Sequence, residues 1–212
     1  MKKIIYVYDA LCGWCYGFSP VMKQFFEKYK QEFTFDVLSG GMVLGERAGE
    51  IGKVAPYISW AYKNVEEATG VKFGENFLEN VLKPGTAIFS SEKSGIAMTV
   101  FKHFQPHKAV YFAHDLQDAV YNLGLDLNSY EAYKPIIEKY HIKSDIFIRQ
   151  MQDAETKERT FDEFALVSEM GINGFPTLIY ANGSEGILLS RGYLSLEKLE
   201  DNLQKVQAEF SS

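Results

Sequence analysis

The chain has only two cysteines in its 212 residues, Cys12 and Cys15, and both lie in the stretch DALCGWCYGFSP. A thiolate attacks a disulfide through a mixed-disulfide intermediate, which a second, neighbouring thiol can resolve. A helix N-terminus favours a thiolate because its backbone N–H groups are unpaired and its dipole is positive there. If a helix begins at this pair, Cys12 is predicted to be the exposed, attacking thiol and Cys15 the more buried, resolving thiol.

A Cys-x-x-Cys pair is also half of a zinc site. Structural zinc normally takes four ligands, and this chain has no third cysteine. His103 and His107 have helical spacing but Pro106 lies between them, and neither His114 nor His141 has a partner at ligand spacing. We therefore predict no metal site. A non-enzymatic binding module, with an inert or metal-bound cysteine pair, stays as the least favoured hypothesis.

The charge and composition of the chain limit which partners and which cellular compartment are expected. The net charge of −6 argues against nucleic-acid and anionic-membrane partners, which need clustered Lys and Arg. The apolar run in MKKIIYVYDALC is shorter than the ~7–15 residues of a secretory signal, and no run approaches the ~20 residues of a membrane span. The prediction is a cytoplasmic protein, in which a close cysteine pair is more often catalytic or metal-binding than structural.

The elements that position the pair are a strand before it and a helix after it. Residues 3–8 are predicted to form a buried strand, residues 13–31 an amphipathic helix, and FTFDVLSGG a second, parallel strand. From residue 46 to about 170 the pattern is helical throughout, with no predicted strand. The last predicted helix of this block is TFDEFALVSEMG, in which Thr160 and Glu163 fit a capping box and Gly171 fits a C-cap.

Two strands and a helix complete the chain. The segment TLIYANGSEGILLSRG predicts a hairpin around Asn182-Gly183, and SLEKLEDNLQKVQAEF predicts an amphipathic closing helix. The fold class is therefore α/β, with β-α-β and α-β-β-α halves joined in one sheet and a large all-helical insertion between them. We predict one domain from residues 1–45 and 155–212 and an insertion domain from residues 46–154.

Two prolines extend the pattern around the cysteines. Pro20 lies inside the first predicted helix, and Pro176, in GFPT, precedes the returning strand. With CGWC, these residues resemble the thioredoxin superfamily, and the helical insertion resembles its DsbA branch. The resemblance implies catalytic roles for Cys12, Cys15 and Pro176 and a cis bond between Phe175 and Pro176.

The same resemblance implies a set of substrate contacts. The Phe175 backbone would pair with an extended substrate beside the first cysteine, and Gly13 and Trp14 would contact it from between the two cysteines. The Gly40-Gly41-Met42 segment is similar to a loop of the kappa-class glutathione transferases, which adds Met42 to the predicted substrate-binding residues.

The sequence also departs from the DsbA pattern. Gly13-Trp14 replaces the usual Pro-His dipeptide, and Tyr6 occupies the strand position of an acidic residue. The pair is therefore expected to be less oxidising than DsbA, between about −270 and −120 mV. Asp9 is the only carboxylate near the pair, and it is either a proton relay for Cys15 or a loop-capping residue.

The first hypothesis is a thiol–disulfide oxidoreductase that acts as a reductase or a disulfide isomerase on a protein or small-molecule substrate. It needs no bound cofactor, and glutathione or a dithiol reductant would reset the pair. The second hypothesis is a glutathione-dependent transferase or isomerase of the kappa or hydroxychromene-carboxylate type. Those enzymes usually carry Ser at the position of Cys12 and need no resolving thiol. The sequence leaves the oligomeric state open.

Overall fold

A four-stranded sheet carries the predicted site at the carboxyl end of one of its two inner strands. The computed structural model describes residues 2–183 and 185–209. The sheet has the order β2-β1-β5-β6, in which β1 pairs with β2 in parallel, and β5 pairs antiparallel with both β1 and β6. A two-stranded ribbon, β3-β4, lies apart from it. The strands are β1 (Lys2–Tyr8), β2 (Thr34–Ser39), β3 (Gly49–Glu50), β4 (Ile88–Phe89), β5 (Thr177–Asn182) and β6 (Glu185–Arg191).

Helices make up most of the remaining structure. They are α1 (Gly13–Tyr29), α2 (Ala55–Thr69), α3 (Glu75–Phe77), α4 (Ser91–Phe104), α5 (Ala109–Tyr121), α6 (Tyr133–Glu138), α7 (Ser144–Met151), α8 (Ala154–Glu169) and α9 (Leu196–Glu209). A π-helical turn, Leu78–Leu82, continues α3, and single 3-10 turns at Gly45–Arg47 and Ile51–Lys53 flank β3. Among the described residues, no helix combines the length and the apolar character required to cross a membrane.

The alternation of side chains along β1 sets the layers of the fold. Tyr6 and Tyr8 are buried in the large core, which also includes residues of α1 and α5, because side chains two apart on a strand share a face. Ile5 and Val7 lie on the opposite face, in a smaller cluster with Val167 of α8. The sheet is therefore covered by helices on both faces, and β1 leads from its centre straight into the Cys12 loop.

The sheet and its flanking elements confirm the predicted fold class. The parallel β1-α1-β2 unit is present, Pro20 lies inside α1, and β5 and β6 form the hairpin with Gly183 in the left-handed region at φ 63°. Ser184, at the turn, lies outside the described residues. Gly171 ends α8 with φ 69°, as a C-cap glycine does.

Two details of the predicted helical block are wrong. The block contains the β3-β4 ribbon, whose two-residue strands are too short to leave a periodic signal. Helix α8 begins at Ala154 rather than near Thr160, because the Asp153 carboxylate caps it by accepting the Thr156 N–H at 3.0 Å. Thr160 is an interior residue that donates to the Thr156 carbonyl, so its resemblance to a capping box is coincidental.

The sheet draws its strands from both ends of the chain. Strands β1 and β2 precede residue 46 and strands β5 and β6 follow residue 154, while helices α2 to α7 lie in the sequence between them. The domain boundaries at residues 45/46 and 154/155 stay predictions.

Candidate active site

Cys12 is the N-cap residue of α1. Its sulfur accepts a hydrogen bond from the Cys15 backbone N–H at 3.3 Å, which satisfies one of the free donors of the first helical turn. The Cys12 N–H donates to the Asp9 carbonyl at 3.1 Å, so the loop between β1 and α1 is itself closed by a turn. The strand-loop-helix order of the sequence thus puts the Cys12 sulfur where the helix terminus favours negative charge.

Cys15 lies one turn into α1 and is fully enclosed. Its exposed fraction is 0%, against 6% for Cys12, and both residues are thiols in the structure. Burial raises the pKa of Cys15 well above its ordinary value, and the hydrogen bond and charge of the Cys12 sulfur raise it further. Cys15 is therefore held protonated. The prediction of an exposed Cys12 is wrong, because Cys12 is packed into the core as well, although it is the less buried of the two.

The turn before β5 meets Cys12 from across the sheet. The Phe175–Pro176 peptide bond is cis, as the resemblance implies. The Cys12 thiol donates to the Phe175 carbonyl at 3.5 Å, although the two residues are 163 positions apart. The turn is fixed by two further contacts, from the Thr177 hydroxyl to the Gly174 carbonyl at 2.7 Å and from the Gly192 N–H to the Pro176 carbonyl at 2.7 Å.

Gly40 makes room for this turn. It follows β2, and its N–H donates to the Tyr8 carbonyl at 2.7 Å. A Cβ at this position would lie 2.2 Å from Cε1 of Phe175, far inside van der Waals contact. The close packing of the Phe175 ring on the Gly40 backbone therefore sets the position of the carbonyl beside Cys12.

Asp9 ties together three segments around the pair. Its carboxylate accepts hydrogen bonds from the Leu11 N–H at 2.9 Å, the Met42 N–H at 2.7 Å and the Ser91 hydroxyl at 2.9 Å. Burial raises the pKa of Asp9 above its ordinary value, and these bonds, with the charge of Arg47, oppose the rise. The contacts are those of a loop-capping aspartate; the relay role stays a prediction.

Two buried tyrosines lie close to the cysteines. Burial raises the pKa of Tyr6 well above its ordinary value, and the charges of Cys15 and Cys12 raise it further. The Tyr6 hydroxyl has no hydrogen-bond partner among the described residues. The Tyr121 hydroxyl, by contrast, donates to the Leu11 carbonyl next to Cys12.

A cavity of about 510 Å³ opens beside Cys12. It is bounded by the start of α1, the loop that follows β2 and one face of α2, and its wall is mostly apolar and aromatic. Four predicted site residues line it: Cys12, Gly13, Trp14 and Met42. Phe175 and Pro176 are not among the lining residues, and the Phe175 carbonyl contacts the Cys12 sulfur outside this lining.

Several residues of this site carry no distinguishing signal in the sequence. Tyr121 and Ser91 belong to helices whose periodicity predicts only burial, and Gln117, which donates to the Asp9 carbonyl at 3.3 Å, is equally unmarked. One signal in the sequence could have predicted that α2 forms a wall of the cavity: the segment is rich in aromatic residues but has only a weak apolar stripe for packing against the core. Only Val65 of α2 is fully buried.

The histidines do not assemble with the cysteines. Within residues 2–183 and 185–209, no group of three or more His, Cys, Asp or Glu side chains is arranged to hold a metal ion. His114 is bonded elsewhere, with its Nδ1 2.8 Å from the Ser19 hydroxyl, and burial lowers its pKa.

Comparisons with known proteins agree with this architecture. A family model described as "Thioredoxin" matches residues 6–201. No curated protein matches the chain. A "putative protein disulfide isomerase" from Nitrosomonas europaea is similar at 26% identity with a TM-score of 0.86, over 98% of each chain.

Two other solved structures show the same fold at lower identity. The cytosolic disulfide reductase DsbM from Pseudomonas aeruginosa is 21% identical, with a TM-score of 0.76 over 99% of this chain and 98% of that one. A 2-hydroxychromene-2-carboxylate isomerase is 14% identical, with a TM-score of 0.63 over 99% of this chain and 100% of that one.

Proposed function

Because the chain belongs to the thioredoxin family, we propose that it is a DsbA-like thiol–disulfide oxidoreductase in which Cys12 attacks and Cys15 resolves. The observation that carries the proposal is the environment of the Cys12 sulfur. It caps a helix, accepts the Cys15 N–H at 3.3 Å and lies 3.5 Å from the carbonyl that precedes a cis proline.

The reaction follows from this arrangement in two exchanges. The Cys12 thiolate attacks one sulfur of a substrate disulfide, forms a mixed disulfide and releases the other sulfur as a thiolate. Cys15 then loses its proton and attacks the Cys12 sulfur, which forms the Cys12–Cys15 disulfide and releases the second substrate thiolate. Two electrons pass from the protein to the substrate, and the two thiol protons end on the released thiols.

Cys15 needs a proton acceptor before it can attack. Asp9 is our candidate, since its charge is among the causes that raise the pKa of Cys15 and burial raises its own pKa above the ordinary value. Phe175 and Pro176 would align the substrate disulfide beside Cys12, and Gly13, Trp14 and Met42 would contact the attached groups at the cavity.

A reductant must return the pair to the dithiol. We propose glutathione or another low-molecular-weight thiol, on the chemistry of the cavity rim, where two acidic and two basic residues lie exposed: Glu46, Arg47, Glu50 and Lys53. Among the ion pairs of residues 2–183 and 185–209, none includes any of the four. Side chains of both signs suit the carboxylates and ammonium group of glutathione.

Turnover of a model disulfide tests the proposal. With a dithiol as reductant, the protein should accelerate the reduction of insulin disulfides, and Cys12→Ser should abolish the acceleration. Cys15→Ser should still attack but accumulate a mixed disulfide on Cys12. Full activity in Cys12→Ser would overturn the assignment.

The same cavity favours a second candidate, a glutathione-dependent transferase or isomerase. A space of about 510 Å³ beside a single reactive sulfur is in the range of a small-molecule site. The buried resolving thiol Cys15 argues against it, since transfer to an electrophile needs one activated sulfur only. Conjugation of glutathione to an electrophile, unchanged in Cys15→Ser and without insulin reduction, would favour this second function.

A further inference from the structure

We propose that the cavity beside Cys12 binds an aromatic group attached to the substrate disulfide, so that aromatic low-molecular-weight disulfides are preferred substrates. The inference rests on the proposed thiol–disulfide exchange and names the substrate class of the same site.

The position of Cys12 makes the cavity part of the path to its sulfur. Only 6% of Cys12 is exposed, and Cys12 is one of the cavity-lining residues. A substrate sulfur must come into contact with the Cys12 sulfur for exchange to occur. The group attached to that substrate sulfur therefore enters the cavity or lies across its mouth.

The wall of the cavity has the chemistry of an aromatic-binding site. Six aromatic residues line it: Trp14, Tyr57, Tyr62, Phe73, Phe89 and Tyr121. The ring of Phe73 lies edge-on to those of Tyr62 and Tyr121, with centroids 5.6 and 5.2 Å apart. A further ring can continue this edge-to-face packing, which favours an aromatic substituent over an aliphatic one of equal area.

Helix α2 provides one side of the cavity through a single face. Ile58, Ala61, Tyr62 and Val65 line the cavity at spacings of three, four and seven residues, which is one stripe of a helix. Ser59 is exposed and is not among the lining residues. The volume of about 510 Å³ lies within the range of small-ligand sites, and a small polar disulfide would leave most of this apolar wall unfilled.

The exchange itself balances without a further co-reactant. The Cys12 thiolate attacks one sulfur of the aromatic disulfide and releases the first aryl thiolate. Cys15 attacks the Cys12 sulfur, forms the protein disulfide and releases the second aryl thiolate. The two electrons come from the Cys12 and Cys15 thiols, and their protons remain with the aryl thiols or the buffer.

The test compares two disulfides under single-turnover conditions. Reduced protein is oxidised by dithiodipyridine, which is aromatic, or by hydroxyethyl disulfide, which is aliphatic and polar. Each rate is divided by the rate of the same disulfide with free dithiothreitol, which removes the difference in intrinsic reactivity. We expect a normalised preference of about 10- to 100-fold for the aromatic disulfide, the effect of burying one aromatic group.

Filling the cavity should remove this preference. Ala61→Phe fills part of the cavity with a ring. If that variant folds poorly, Ala61→Leu fills it with a smaller, aliphatic group. Ser59→Phe adds the same ring to the outer face of α2 and is the matched control. In Ala61→Phe the aromatic preference should fall toward one while alkylation of Cys12 by iodoacetamide is retained, and Ser59→Phe should behave as wild type.

The outcomes separate this inference from the proposed function. Two results would overturn the aromatic substrate class but leave the proposed exchange reaction standing. The first is oxidation of the cysteine pair with a normalised preference near one. The second is an aromatic preference that both Ala61→Phe and Ala61→Leu leave intact. A pair that no disulfide oxidises would overturn both.

Discussion

Replacing Gly40 with Ala should displace the cis-proline turn from Cys12. The added Cβ would lie 2.2 Å from Cε1 and 2.3 Å from Cζ of Phe175. Carbon atoms come into contact at about 3.5 Å, so the ring must move by roughly 1.3 Å or the β2 end must yield by the same amount. Overpacking of this kind costs about 1–3 kcal/mol of stability.

The effect on exchange should exceed the effect on folding. The Phe175 carbonyl lies 3.5 Å from the Cys12 sulfur, and a displacement of about 1 Å in a positioning group lowers a rate by roughly 100-fold. Stopped-flow oxidation of the reduced variant by a model disulfide measures this loss, and urea unfolding measures the stability. Alkylation of Cys12 by iodoacetamide should change little, because the helix terminus that favours the thiolate is untouched.

Gly174→Ala is the matched control in the same turn. Its Cβ would meet nothing nearer than Cγ of Arg191 at 3.9 Å, an ordinary contact, so stability and exchange should stay near wild type. Phe175→Leu should restore stability to the Gly40→Ala variant by shortening the side chain that clashes. Wild-type exchange and stability in Gly40→Ala would refute the role given to this packing.

Asp9 and the two buried tyrosines give further predictions. In Asp9→Asn a donor replaces an acceptor and leaves a buried N–H unpaired, which should cost about 1–3 kcal/mol. Burial raises the pKa of Asp9 in the folded protein above the ordinary value of 3.8. The free energy of unfolding of the wild type should therefore fall as the pH rises from about 3.8 through the folded-state pKa, because the folded protein must then ionise a buried carboxyl group. Asp9→Asn has no carboxyl group to ionise, so its stability lacks this pH dependence. Urea titrations should show that the difference in the free energy of unfolding between wild type and variant becomes smaller as the pH rises; equal stabilities at every pH would contradict the reasoning. Tyr6→Phe removes a hydroxyl without a partner among the described residues and should leave stability unchanged or higher, whereas Tyr121→Phe loses the bond to Leu11 and should cost about 0.5–1.5 kcal/mol. Thermal unfolding of the two variants side by side measures the contrast, and a larger loss in Tyr6→Phe would be the opposite result.

The local patterns of the sequence predicted the frame of the site. The β1-loop-α1 order follows from a β-branched run ended by Asp9 and from the helical spacing after Cys15, so the N-cap position of Cys12 could be inferred. The turn at Pro176 was inferred through the resemblance, since periodicity alone does not bring residues 163 positions apart into contact.

What the sequence did not predict depends on packing between distant segments. The room that Gly40 leaves for Phe175 is a steric relation between two loops, and no local pattern encodes it. The start of α8 was missed because Thr160 and Glu163 match a capping pattern in a helix that was already formed. Glu163 instead accepts the Ser39 N–H at 2.8 Å and pairs with Lys102, a contact that exists only in the folded chain.

The central claim is that Cys12 and Cys15 form a reversible redox pair in which Cys12 meets the substrate. Equilibration in a series of glutathione redox buffers, followed by acid quenching, alkylation and peptide mass mapping, tests it most directly. We predict one two-electron transition between about −270 and −120 mV to an intramolecular Cys12–Cys15 disulfide, with any glutathione adduct on Cys12. An adduct on Cys15, or a pair that stays reduced across the whole range, would contradict the claim.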